Sequence, residues 1–600
     1  MSTQSLEQFF TGKNLFIPAY QRDYAWTRPN VDDLFEDIEE AMELGGGHYL
    51  GTFILCQPDK KGSVNVVDGQ QRLTTLTLLL NALISQVEDE SIRNFYHSTY
   101  VSHPVHGAKF VVQGENLEFF QHLLKNDPLP AHSDGQKRLF EADQWIRRRV
   151  AALATRGGDA LLKEWLVNIG MLEVLEFTES NEGKAIRMFQ AVNDRGVPLA
   201  KMDIAKSLLI YYSNRFLEGE LDTMIAEQFG HAFRCFSRLK LLSAQAGYQI
   251  RVINREPFRE DDIFRYHYLA FNGQAYGALE GLDYNASSET VLEHFLKPSL
   301  KQMRSDPSRL RDFISAYVTD LASFFEGLSD LVEATRHRRD LYTLFVIQDV
   351  STTLYPLLIR LKLQNRLDEK VSSHGDKSLL ELIEVTDLRV YKIQGTNPQA
   401  GVAHLVRGLG KWDASEIADE LMSICQRFMP SEKFRSRLNE DMYSNAGTLR
   451  ILLAVEEGFR KSPYSIEDLA TLVRDGITIE HIIPQSPSFG IKAYGFHSEA
   501  SYDENVHRIG NLLLLETKVN SACSNNSVEA KISTPTLYGR SGFQSVLALS
   551  AENAGKTPAY SRTAILDRSA DIANFAVVYW PVATTINDEA ARRSTFEGDR

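Results

Sequence analysis

The chain has 600 residues, of which 43% are hydrophobic and 24% charged, ordinary proportions for a globular protein, and its length points to about two to four domains. Its four cysteines, Cys56, Cys235, Cys425 and Cys523, are widely spaced with no CxxC, which argues against a disulfide framework and against a cysteine-built zinc site. The net charge of −14 runs against the basic footprint of a nucleic-acid binder, and no apolar stretch approaches the ~20 residues of a membrane span.

Met1 to Gln8 lacks a basic region followed by an apolar one, so no signal peptide is expected and the location expected is cytoplasmic. Phe16 to Trp26 is a proline-broken run dense in aromatics and polar donors, and an amphipathic helix follows from Val31 to Leu44. Tyr49 to Gln57 reads as an apolar strand, Pro58 to Gly62 as a turn and Val64 to Val67 as a second strand. That strand runs into Asp68-Gly69-Gln70-Gln71-Arg72 and a long helical pattern, Leu73 to Val87. A strand, a glycine turn and a helix start bring backbone N–H groups and the helix dipole to bear on an anion, and Arg72 adds a planar fork suited to phosphate. A nucleoside triphosphate fits such a corner; an Asp68 helix cap with three solvent-facing residues also fits the same sequence.

Lys184 to Val192 is amphipathic, Gly196 ends it, and Asp203 to Tyr212 resumes a helix. Asn193, Arg195, Asp203 and Lys206 therefore lie near a reversal, able to point at one pocket, although Asn-Asp-x-Gly is also ordinary turn chemistry. From Ser213 to about Glu440 the pattern is mostly helical, without repeat or low complexity, and breaks fall at Asn272-Gly273, Ser287-Ser288, His374-Gly375 and Gly395 to Asn397. Basic clusters at Lys137-Arg138, Arg147 to Arg149 and Arg336 to Arg339, followed by Arg360, Lys362 and Arg366, offset the acidic total locally. Each is a candidate phosphate contact or a solvated helix face.

The clearest chemistry lies between Thr478 and Lys531. Ile477 to Ile483 is a short β-branched run interrupted by Glu480 and His481 and stopped by Pro484, a strand whose end presents two polar side chains. Gly510-Asn511 opens a second apolar run, Leu512 to Leu515, and Asn520 starts a polar helical stretch containing Asn525, Asn526 and Lys531. In the resulting strand, loop, strand and helix, Glu480 and the Asn520 amide oxygen offer hard ligands to Mg2+ or Mn2+. His481, with an ordinary pKa near ~6.5, is able to take a proton from an attacking water.

Glu480-His481-Ile482-Ile483-Pro484 resembles the acidic-His-hydrophobic-x-Pro strand of the HNH, or His-Me finger, nucleases. The resemblance implies that His481 is the general base, Glu480 and Asn520 hold the metal, Asn511 pins the loop that aims the histidine and Lys531 touches phosphate. At the other end, Ile17-Pro18-x-Tyr20-Gln21-Arg22-x-Tyr24-x-Trp26, His48-Tyr49-Leu50-Gly51 and Asp68-Gly69-Gln70-Gln71-Arg72-Leu73-Thr74-Thr75 resemble the ParB/sulfiredoxin-related nucleotide-handling domain of GmrSD-like type IV restriction enzymes. Ala185-x-x-Met188-Phe189-x-x-Val192-Asn193-Asp194-Arg195-Gly196-x-Pro198-Leu199, with Asp203-Ile204-x-Lys206, continues the likeness. Tyr443, Leu449 to Leu453 and Glu456 look like the family's helix leading into the nuclease, and Ile565 to Trp580 like its closing helix.

The fold these motifs imply is α+β and predominantly helical. A ParB-like NTP-binding α/β domain is expected over 1–212, a helical linker or sensor region over 213–440, a ββα-metal (HNH) nuclease domain over 441–585 and a flexible tail over 586–600. The implied activity is a nucleotide-dependent, modification-sensing DNA endonuclease of anti-phage defence, cutting with Mg2+ or Mn2+ under control of GTP or ATP. The nucleotide would be held by Tyr20, Gln21, Arg22, Asp68, Gly69, Gln70, Gln71 and Arg72, with Asn193 and Lys206. Expected partners are DNA, foremost modified phage DNA, and the NTP, with a homo-oligomer admitted and a membrane excluded. An RNA-cleaving toxin, a nonenzymatic ParB-like DNA switch and an N-terminal pocket for a modified base remain open alternatives.

Overall fold

The computed structural model describes residues 2–17, 23–44, 49–56, 63–105, 107–112, 116–179, 200–255, 257–272, 278, 284–487 and 489–582. The expected helix Lys184–Val192, the reversal at 193–196, Tyr20 to Arg22 and the tail 586–600 lie outside the described residues. The chain is predominantly helical α+β, as expected. It divides into two compact units, the first comprising Met1–Ser237, Gly273–Leu282 and Ser287–Ala322, the second Arg238–Asn272, Asp283–Ala286 and Ser323–Arg600. Helices between 213 and 440 are thus shared between both units.

The first unit is built on a six-stranded mixed sheet of order β1-β8-β3-β4-β2-β7. Its strands are β1 (Ser2–Ser5), β2 (Asn14–Ile17), β3 (Tyr49–Cys56), β4 (Ser63–Asp68), β7 (Phe110–Val112) and β8 (Glu173–Glu179), with the short β5 (Ser102–His103) and β6 (Gly107–Ala108) paired apart from it. β3 runs antiparallel to β4, with Ile54 opposite Asp68 and Cys56 opposite Asn65, and parallel to β8. Two of the unit's helices are α3 (Gln70–Gln86), which leaves β4 through Gly69, and α6 (Asp134–Met171), broken at Gly158.

Helix α3 is buried all round, from Leu73 to Ile84 without interruption, and mostly apolar. A helix of that kind belongs in a core, and α3 packs against α6 around Leu76, Leu79, Leu83, Ile146, Leu166 and Ile169. The helix begins three residues earlier than its apolar pattern, so Gln70, Gln71 and Arg72 form its first turn.

In the second unit a two-stranded antiparallel ladder joins β11 (Ile477–His481) to β12 (Leu512–Glu516), with Ile477 opposite Glu516 and His481 opposite Leu512. The helix Thr517–Cys523 follows β12 at once, and the helix Val528–Ser533 comes next. This is the strand, loop, strand and helix order read from the sequence. The long helix Arg562–Tyr579 braces the loop before β12: Arg568 Nη1 donates to Gly510 O at 2.7 Å and Leu512 O at 2.9 Å, and Ser569 Oγ accepts from Gly510 N at 3.0 Å. A Cβ at Gly510 would collide with Ile565 O, so the close approach of this helix requires glycine there.

Candidate active site

Side chains alternate across a strand, and β11 uses the alternation to separate its two polar residues. Glu480 turns toward the helices that follow β12. Its Oε1 lies 2.7 Å from Lys531 Nζ and accepts from the Tyr538 hydroxyl at 3.2 Å. His481 turns toward His507 and Tyr443 on the other side.

The site is nearly closed to solvent, with Glu480 5% and His481 6% exposed. Burial pushes the Glu480 carboxyl above its usual range, against the opposing pull of Lys531, Tyr538 and the backbone N–H of His481. Burial also drives the His481 pKa down to about 3, with smaller contributions from His507 and Lys531. His481 is therefore a neutral imidazole at pH 7, with a vacant acceptor nitrogen. Its Nε2 lies 3.1 Å from His507 Nδ1 and 3.5 Å from Gln485 Nε2.

Asn511 is fully buried and spends its amide on backbone. Oδ1 accepts from Ile483 N at 2.9 Å, while Nδ2 donates to Ile483 O at 2.9 Å and to Val506 O at 2.8 Å. Its own carbonyl accepts from Ile482 N at 2.9 Å. The chain leaving β11 is therefore held on both edges by one residue.

Asn520 lies on the helix Thr517–Cys523 over the same strand. Its Nδ2 donates to Thr478 Oγ1 at 2.8 Å and reaches Ile479 O at 3.5 Å, which leaves Oδ1 as an acceptor. Thr478 and Glu480 share one face of β11, so the Asn520 amide and the Glu480 carboxylate belong to one side of the strand. One carboxylate with both side-chain donors on Oε1, beside one amide oxygen, suits a hard divalent cation completed by water and phosphate. Among the described residues no group of three or more His, Cys, Asp and Glu is placed to hold a metal. Asn525 and Asn526 are exposed in the turn between the two helices.

Lys531 differs from expectation. Its side chain is 0% exposed, and its ammonium donates to His481 O at 2.7 Å and Ile482 O at 3.2 Å besides Glu480. Three N–H groups meet three acceptors, which leaves none for a phosphate. The residue clamps the end of β11, and neutralises part of the carboxylate that burial would otherwise penalise.

Several arginines of the basic clusters have partners within the fold. Arg147 pairs with Asp143, Arg149 with Asp32 and Glu39, Arg338 with Asp340 and Asp368, Arg339 with Glu457, and Arg366 with Glu369. Arg336 donates to Leu242 O and the Gln245 side chain. These arginines have carboxylate or carbonyl partners within the fold.

In the first unit Asp68 ends β4 and Gly69 caps α3 with φ of 92°, without a side-chain cap. A Cβ at Gly69 would overlap the Phe53 ring. Gln71 reaches back: Oε1 accepts from Ala25 N at 2.8 Å and Nε2 donates to Asp23 O at 3.2 Å. The chain that carries the Tyr24 motif is thereby tied to the helix start, and Tyr24 itself shares a hydrogen bond with Thr75.

Arg72 lies over the Phe53 ring at 5.6 Å, and its Nη1 reaches Thr52 O at 3.4 Å. An added Cβ at Gly51 would come within 2.5 Å of that Nη1. Burial lowers the Arg72 pKa against the opposing attraction of Asp68. Lys206, on the helix Lys201–Phe216, is buried with its ammonium 5.8 Å from the Phe233 ring, and burial lowers its pKa to about 7 despite Asp203. Tyr20, Gln21, Arg22, Asn193 and Arg195 lie outside the described residues.

Sequence reasoning missed His507, Tyr443 and Tyr538 as neighbours of the Glu-His pair. His507, four residues before Asn511, stands alone in its stretch with no pattern to single it out. Tyr538 carries no signal either, because only the tertiary fold brings it to Glu480.

One unit thus carries a mixed sheet with a glycine-turned helix start, and the other a two-stranded ladder followed by helices, with a buried acid and imidazole at its end. Residues 6–210 match the GmrSD restriction endonuclease N-terminal domain, and residues 428–575 match the GmrSD restriction endonuclease C-terminal domain. The chain belongs to the GmrSD family of type IV restriction endonucleases, whose substrate is DNA. No match is found among curated proteins.

Proposed function

We propose that the C-terminal unit hydrolyses DNA phosphodiesters with His481 as general base and with Mg2+ or Mn2+ held by Glu480 and Asn520. The observation that carries this reading is the buried, neutral imidazole of His481 at the end of β11, beside a carboxylate that shares its strand face with the Asn520 amide. When bound, the ion would supply Lewis-acid stabilisation of charge on the departing oxygen.

The protein's own residues do the rest. His481 takes a proton from water through its vacant nitrogen, and the anionic phosphate beside it raises the imidazole's basicity as the proton arrives. Lys531 and Asn511 fix the backbone from His481 O to Ile483, so the base does not reorganise during the step.

The N-terminal unit, in this reading, binds and hydrolyses a nucleoside triphosphate at Asp68 to Arg72 and gates the cut in response to modified phage DNA. Support comes from the uncapped first turn of α3, whose backbone N–H groups suit an anion, and from the Gln71 bonds that tie the Asp23–Ala25 strip to it.

Digestion of phage DNAs carrying different base or backbone modifications, with Mg2+ or Mn2+ and with or without GTP or ATP, tests the whole reading. Cutting confined to a modified DNA and dependent on an NTP supports it. Cleavage of total RNA with plasmid left intact discards the DNA assignment, and absence of phosphate release with every NTP, with or without DNA, discards the hydrolase role of the N-terminal unit.

A further inference from the structure

His481 shares the end of β11 with a second imidazole that the chemistry above leaves unused. His507 ends the helix Glu499–Val506 and places Nδ1 3.1 Å from His481 Nε2, with the two rings 5.1 Å apart and nearly perpendicular. An edge-on N···N contact of that length is a hydrogen bond with one proton between two nitrogens, and it outweighs the Gln485 amide nitrogen, which stands 3.5 Å from the same Nε2 at the far limit of a hydrogen bond.

His507 is itself immobilised. The Tyr443 ring stacks on it at 5.4 Å and 18°, and tilts over His481 at 4.4 Å. The strip bearing Tyr443 is laced to the backbone around His507: Met442 N donates to His507 O at 2.9 Å, Asp441 and Arg508 form an antiparallel bridge, and the Arg508 guanidinium donates to Asn439 O. Tyr443 N also donates to Asp441 Oδ1 at 3.0 Å. One edge of the Tyr443 ring stays exposed, at 39%, so this ring is the solvent side of the cluster.

We propose that His507 is a positioning residue for phosphodiester hydrolysis: its Nδ1 accepts the Nε2–H of His481 and so fixes His481 as the tautomer whose bare Nδ1 faces the attacking water. The inference rests on reading His481 as the base. An imidazole with no acceptor on one nitrogen populates both tautomers and turns about its outer torsion, whereas a base oriented by a third group holds one lone pair in place. In the step itself the water O–H bond breaks and its proton goes to His481 Nδ1. The water oxygen bonds to phosphorus as the phosphorus–oxygen bond to the leaving strand breaks, and the leaving oxygen takes a proton from solvent. His507 keeps its hydrogen bond throughout and exchanges no proton, while the Tyr443 stack holds its plane.

The test uses the full chain labelled with 15N-histidine, and long-range 1H–15N spectra assigned with His481→Ala and His507→Phe. The expected wild-type result is a single His481 tautomer with the proton on Nε2 and a bare Nδ1. In His507→Phe, which keeps the stack on Tyr443, the two His481 nitrogens should average, and kcat for DNA cutting should fall about 10- to 100-fold with KM unchanged. His507→Asn, which returns an acceptor to the Nδ1 position, should restore the tautomer and most of kcat.

Wild-type kcat in His507→Phe, or a His481 tautomer unchanged by it, overturns the proposal. A wild-type chain that shows the tautomer yet cuts no DNA under any condition sinks the nuclease reading, and the positioning role falls with it.

Discussion

Replacing Asn511 by aspartate exchanges two N–H donors for an acceptor at a fully buried position, and the consequence follows from the three hydrogen bonds described. The bond from Ile483 N to Oδ1 survives, while Ile483 O and Val506 O lose their donor and face a carboxylate oxygen. Each orphaned buried group costs about 1–3 kcal/mol, so the two together should destabilise the chain leaving β11 by about 2–6 kcal/mol before desolvation of the new charge is counted. Local opening at 482–484 then becomes about 25-fold easier or more, since every 1.4 kcal/mol is about tenfold. Hydrogen exchange followed by mass spectrometry reads this on a peptide spanning 479–486, with a peptide from β3 as internal control. Protection in the first should fall about 25-fold or more while the control stays constant. Protection within threefold of wild type in Asn511→Asp would refute the claim that this amide holds the segment.

Lys531→Met leaves the Glu480 carboxyl buried without its cation, at a cost of roughly 3–5 kcal/mol; the double variant with Glu480→Gln should recover most of that loss in chemical unfolding, and failure to recover would separate the two residues. Gly51→Ala puts a methyl within 2.5 Å of Arg72 Nη1 at a φ of +134°; it should lower stability by about 1–3 kcal/mol and weaken triphosphate binding in parallel, and unchanged binding would detach Arg72 from the nucleotide. The depressed pKa of His481 has a pH signature of definite sign: the unfolded imidazole binds a proton below its ordinary 6.5 and the folded one only near about 3, so its contribution is complete above pH 6.5 and is lost as pH falls between those values. At ~1.36 kcal/mol per unit the limit is roughly 5 kcal/mol, and a His481→Phe protein should show a correspondingly flatter loss of stability from pH 7 to pH 4; identical slopes would mean the histidine is not held neutral.

What could be read from the sequence was whatever local pattern dictates. Alternation and a proline stop mark β11, a four-leucine run marks β12, and the Gly-Asn pair before it marks a backbone that must pass close to another element, as the contact of Gly510 with Ile565 shows. The start of α3 was legible in the same way, from an aspartate and a glycine between a β-branched strand and an unbroken apolar helix. The partners that decide electrostatics were not legible. Lys531 was assigned to phosphate through the family resemblance, but the turn at Ser524 to Asn526 folds its helix back onto β11 and buries it. The arginine runs were left open between phosphate contacts and solvated helix faces because some of their carboxylate partners stand more than about a hundred residues away, as Glu457 does from Arg339. His507 went unread because a lone histidine in a loop carries no period, and only the tertiary contact with Nε2 of His481 gives it meaning.

The central claim is that a neutral His481 deprotonates water for attack on DNA. Metal-dependent nicking of modified DNA by wild type and by His481→Ala, with Mn2+ binding measured on both, tests it most directly. The account predicts that the variant still binds Mn2+ and loses about 100-fold or more of its cutting rate; a His481→Ala protein that cuts at the wild-type rate would contradict it.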